Sequence, residues 1–100
     1  MAEATQKPVH PGDVLNEVYM KSFDPPLTVS DVAHSIDVPA QELTRFLVGK
    51  RPITRTLATR LALRFRTTTT YWIGLQASYD RSQAAKLFRV LLQNTERPRL

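Results

Sequence analysis

The residues best equipped to do chemistry are cations. Arg45, Lys50, Arg51, Arg55, Arg60, Arg64 and Arg66 place seven positive charges within twenty-two residues that contain no acid. Such a density concentrates polyanions such as nucleic acid, and it would also attract an acidic protein. Charge alone is equally compatible with a solvated helical face that only keeps the chain soluble. Just ahead of this segment and into its start, Gln41, Thr44, Arg45 and Val48 lie at helical spacing roughly opposite an apolar stripe. Amide, hydroxyl and guanidinium groups on one helical face can reach base edges in a major groove, while cations beyond them hold phosphates.

Other chemistries lack their residues. The chain has no cysteine, which excludes disulfides and thiolate metal sites. His10 and His34 have no metal-ligand spacing to an acidic partner, so neither a metal nor another cofactor is expected. No Gly-rich phosphate loop, GxSxG turn or Ser-His-Asp order is present, and an enzyme is not expected.

One hundred residues, 42% hydrophobic and 23% charged, suit one small globular domain. The net charge of +5 is unevenly spread. Residues 1 to 40 hold two Lys against six Asp or Glu, net −4, and the remaining sixty carry +9. No window is long and apolar enough to span a bilayer, and Met1 to Lys7 lacks a signal-peptide core, so a cytoplasmic protein with no membrane partner is expected.

The elements that must position these residues are helices. Residues 1 to 9 read as a flexible tail. Pro11 then opens a first helix over about 11 to 22, with Val14, Leu15, Val18 and Tyr19 at helical spacing, and Pro25 and Pro26 forbid its continuation. Thr28 with Asp31 resembles a capping box for a second helix over 29 to 36, whose Val29, Val32, Ala33 and Ile36 share a face. Asp37 tolerates a left-handed turn. Pro39 opens a third helix over about 40 to 48, with Ala40, Leu43, Phe46 and Leu47 inward and Gly49 as its C-cap. Thr54 caps a fourth helix to about 66, and Thr68 caps a fifth from about 69, with Trp72, Leu75, Gln76 and Tyr79 on one side. Ala84, Leu87, Phe88 and Leu91 form either a sixth helix or an extension of the fifth. Trp72 reads as core or subunit interface. Leu63, off the inward stripe of its helix, reads as a scattered surface residue or a partner contact. No segment alternates like a strand, and the fold class is all-α.

The second and third helices, with their short turn, form a helix-turn-helix, in which small Ala33 lets the pair close. The order HPGDVL, VSDVAHSIDVPAQELTRFLVGKRPIT, ATRLALRFRTTTTYWIGLQASYD resembles the HigA-type antitoxins and virulence-associated-protein-I-like regulators, a branch of the XRE (lambda-repressor-like) helix-turn-helix family. Its most specific parts are His10-Pro11-Gly12, Gly49-Lys50-Arg51 followed by Ile53-Thr54, and Trp72, Leu75, Gln76 and Asp80 in their spacing. The resemblance implies a five-helix DNA-binding domain over residues 10 to 80, with residues 81 to 100 as a C-terminal helical extension and tail. It further implies a homodimer that represses its own operon, binds operator DNA and, in toxin-antitoxin members, neutralises a small RNase toxin. The candidate DNA-contacting residues are Gln41, Thr44 and Arg45, with Ser30, Lys50, Arg51 and Arg55. Asp37 departs from the Gly favoured at the turn, and Val29 from a Gln that often meets phosphate. Glu42 either accepts from a cytosine amino group or pairs with Arg45, the latter being favoured. The alternative function is a protein-binding module that turns its cationic face to an acidic partner.

Overall fold

Local chemistry starts and stops each helix in the computed structural model, which describes residues 9–96. The expected tail over 1 to 9, apart from Val9, and positions 97 to 100 lie outside the described residues. Helix α1 opens as an α-helical turn, Pro11–Val14, and runs on as a wider π-helical segment, Leu15–Met20. His10 is its cap: the ring Nδ1 accepts from the Gly12 amide at 2.9 Å, and the ring is buried against Phe46 and Tyr79. Gly12 lets the α1 backbone rest on the third helix, because a Cβ there would lie on the Phe46 carbonyl.

The wide turn alters which residues face inward. A π turn bonds residue i to i+5, as the Lys21 amide does to the Asn16 carbonyl at 3.1 Å. Leu15 and Met20, five apart, are therefore both buried. Val18, expected to face inward, is rotated out to 54% exposure, and the helix ends at Met20 rather than near 22.

Helix α2, Val29–Ile36, begins at the expected capping box. The Asp31 amide donates to Thr28 Oγ1 at 3.0 Å and the Thr28 amide donates to Asp31 Oδ2 at 3.1 Å. The Thr28 backbone N–H, and after it the Thr28 hydroxyl, donate to the Asp31 carboxylate and hold that carboxyl below its ordinary range. Asp37 closes α2 in the left-handed region, φ 57° and ψ 52°. Helix α3, Ala40–Leu47, follows Pro39 directly and stops before Gly49, whose φ of 81° suits glycine. Leu43 and Phe46 are buried and Leu47 half-buried, but Ala40 is exposed, since the first turn of α3 reaches beyond the core.

Helix α4, Arg55–Phe65, is capped by Thr54, and helix α5, Thr69–Glu96, by Thr68, each hydroxyl accepting an amide at 3.1 Å. These five helices, with no strand among the described residues, make the expected all-α architecture. Leu15, Val32, Ala33, Ile36, Leu43, Phe46, Leu61 and Trp72 form one core, and α2 packs against both α3 and α4. Trp72 is fully buried there, and its Nε1 donates to Thr67 Oγ1 at 2.7 Å.

The C-terminal apolar stretch is an extension of α5. Twenty-eight helical residues span about 42 Å, of which Trp72 and Gln76 are buried while Leu87, Phe88 and Leu91 are 60%, 62% and 52% exposed. No helix among the described residues is long and apolar enough to cross a membrane.

A candidate nucleic-acid interface

The interface is built on the turn between α2 and α3. Three residues, Asp37 to Pro39, separate the helices. The left-handed Asp37 reverses the chain, so its amide returns to His34 O at 3.3 Å and the Val38 amide to Ala33 O at 3.0 Å. Ala33, 2% exposed, has no side chain beyond Cβ to hold the helices apart. Arg60 of α4 then fastens the turn: its guanidinium donates to the carbonyls of Ile36 at 3.1 Å and Asp37 at 2.6 Å. Those groups are among the unpaired carbonyls at the end of α2, where a cation is also favoured by the helix dipole. Arg64 braces the same corner, donating to Ser35 Oγ at 3.2 Å while lying over the Phe65 and Phe23 rings at 4.8 and 5.7 Å.

With its apolar side held down, α3 presents Gln41, Thr44 and Arg45 to solvent. Exposed Thr44 donates its hydroxyl to Ala40 O at 2.9 Å, which commits the proton and leaves the oxygen able to accept. Arg45 makes no side-chain hydrogen bond or ion pair among the described residues. Glu42 pairs instead with Arg51, through contacts of 3.2 and 3.4 Å, which overturns the favoured Glu42–Arg45 pairing. The physical reason is the chain reversal at Gly49, which carries Arg51 back beside the flank of α3. Both partners are over 40% exposed, and such a pair contributes about 0–1 kcal/mol, so a competing anion can displace it.

Of the other candidate residues, Lys50 is exposed, and its amide donates to Arg45 O at 2.8 Å, which folds the loop onto the end of α3. Ser30 lies exposed in the first turn of α2 and Arg55 exposed at the start of α4; neither makes a side-chain hydrogen bond or ion pair to the rest of the set. Arg45, Lys50 and Arg51 thus gather around α3. Arg60 and Arg64 leave the cationic set and become braces. Charge counting missed this, although their spacing offered a signal: they lie four residues apart on α4, flanking buried Leu61, where long stems cover a neighbouring element. Gln76, read as part of an apolar helix side, also has a distinct task, since its Oε1 accepts from the Ile53 amide at 2.7 Å.

No protein-family model matches the chain. The HTH-type transcriptional regulator YbaQ of Escherichia coli strain K12 is 35% identical over 80 residues, a match covering 80% of this chain and 69% of that protein. An addiction-module antidote protein of the HigA family from Coxiella burnetii has a similar structure, with a TM-score of 0.79, 32% identity and coverage of 94% of this chain and 100% of that one. The Pseudomonas aeruginosa antitoxin HigA, solved with the higBA promoter, has a TM-score of 0.77 and 26% identity, with 94% of this chain and 100% of that chain covered.

Proposed function

The chain belongs to the helix-turn-helix transcriptional regulators of the HigA type, and from that premise we propose that it is an operator-binding repressor and the antitoxin of a toxin-antitoxin pair. The observation that carries this reading is the outer face of α3, where Gln41, Thr44 and Arg45 are exposed together and Arg45 is uncommitted. A helix of this kind fits the major groove of B-DNA. There a guanidinium grips guanine O6 and N7, and an amide grips adenine N6 and N7. Thr44, its hydroxyl proton held by Ala40, offers a methyl group to thymine or lone pairs to an exocyclic amine. Lys50 and Arg51 meet phosphate, Arg51 by exchanging Glu42 for the DNA backbone, while Ser30 and Arg55 reach phosphates on either flank. The activity is binding, with no catalytic step.

Residues 10 to 80 constitute the DNA-binding unit, and the part of α5 over residues 81 to 96 extends it for pairing. The exposed Leu87, Phe88 and Leu91 stripe suits a second copy, and two-fold pairing sets half-sites about one helical turn apart. Autorepression and neutralisation of an RNase toxin in the cytoplasm complete the reading, as members of this family. Selection of bound duplexes from random DNA tests it. A two-fold symmetric consensus supports operator recognition, and recovery of unrelated sequences at equal affinity refutes it in favour of a cationic surface for an acidic protein.

A further inference from the structure

The loop that follows α3 has no regular structure of its own, yet it carries Lys50 and Arg51. It is tied at both ends. The Gly49 and Lys50 amides donate to Phe46 O and Arg45 O at 3.0 and 2.8 Å, and the Ile53 amide donates to Gln76 Oε1 at 2.7 Å. Gln76 comes from α5 and is only 9% exposed. Its side-chain amide has one accepting end and one donating end, and only Oε1 can receive an N–H. A flipped amide would set N–H against N–H and release the loop. Asp80, one helical turn further on, prevents this, because its Oδ1 accepts from Gln76 Nε2 at 3.0 Å.

We propose that Gln76 and Asp80 are positioning residues of the DNA interface. Asp80 sets the sense of the Gln76 amide, Gln76 anchors Ile53, and the loop thereby presents Lys50 and Arg51 to phosphate at a set height beside α3. A Gln and an Asp four residues apart are otherwise a minor helix-surface contact. The difference here is that the other end of the amide is buried in the loop. This inference rests on the proposed DNA-binding reading for its consequence, but the anchoring itself is measurable without DNA.

The test uses the full chain and three variants: Asp80→Ala, Gln76→Glu and the double variant Gln76→Glu/Asp80→Asn. Gln76→Glu alone faces one carboxylate with another. In the double variant the carboxylate introduced at position 76 still accepts from Ile53 while accepting from the new amide at position 80, so the second bond is reversed and the first kept. Two quantities are read: hydrogen exchange of the Ile53 amide by NMR, and affinity for the tightest duplex selected from random DNA. Each single variant is expected to speed Ile53 exchange and weaken binding about fivefold, the change expected from one net hydrogen bond, and the double variant to restore both. Asp80→Ala with Ile53 exchange and binding unchanged would reduce the pair to a helix-surface contact and overturn the proposal, as would losses that the double variant does not recover. A wild-type chain that selects no duplex refutes the DNA-binding reading instead. The Ile53 exchange series then decides the positioning pair by itself, restoration supporting it and invariance overturning it.

Discussion

Replacing Arg60 with Met separates a brace from a phosphate contact. The substitution keeps an apolar stem against α2 but removes the guanidinium that donates to Ile36 O and Asp37 O at 3.1 and 2.6 Å. Hydrogen bonds to a charged donor contribute about 1.5–3 kcal/mol each, so two set an upper bound of about 6 kcal/mol. Asp37 is exposed and Arg60 half-buried, so water can satisfy part of what is lost, and screening reduces the rest. We expect a loss of about 2 kcal/mol, or roughly 8–16 °C in melting temperature for a domain of this size. The assay is thermal unfolding followed by circular dichroism, with DNA titrations at several salt concentrations below the transition. Because the turn orients α3, specific binding should weaken while the slope of log affinity against log salt stays unchanged. A melting temperature equal to that of the wild type, with a salt slope lowered by about one unit, would show that Arg60 meets phosphate and that the turn does not need it.

Three further outcomes are open to direct measurement. Gly12→Ala should lower stability by more than the roughly 1–3 kcal/mol that overpacking ordinarily costs, because its Cβ would meet the backbone of Phe46 rather than a movable side chain; an unchanged denaturation midpoint would mean that α1 and α3 do not touch there. The Asp31 carboxyl is held below 3.8 by Thr28, so its contribution is present above that unfolded value and is lost as pH falls through the depressed folded value. The stability advantage of wild type over Asp31→Ala should therefore be constant from neutral pH down to about 5 and shrink below about 4, and an advantage independent of pH would exclude the charged cap. Phe88→Glu, at a position 62% exposed on α5, should shift sedimentation from dimer to monomer without unfolding the domain, whereas an unmoved dimer would place the pairing surface elsewhere.

What could be read in the sequence was whatever depends on near neighbours. Thr28 with Asp31, Asp37, Gly49, Thr54 and Thr68 act within one turn of the chain, and α2 occupies the expected 29 to 36 for that reason. Helix α1 shows the limit. Its wider turn exchanges Val18 for Met20 inside, and the residue types alone do not distinguish i+4 from i+5 closure. Tertiary partners were the least legible. Glu42 had Arg45 three residues away and found Arg51 through the loop. Arg60 and Gln76 act across 24 and 23 residues, respectively, and nothing in their local spacing identifies the carbonyls or the amide that they reach.

Reading and holding of DNA should separate around α3. Arg45→Ala and Lys50→Ala should be titrated against the selected operator and a scrambled duplex at several salt concentrations. We expect Arg45→Ala to cost about 1–3 kcal/mol on the operator and much less on the scrambled duplex, and Lys50→Ala to weaken both and lower the salt slope by about one unit. Equal losses on the two duplexes for Arg45→Ala would contradict the assignment of α3 as the helix that reads the bases.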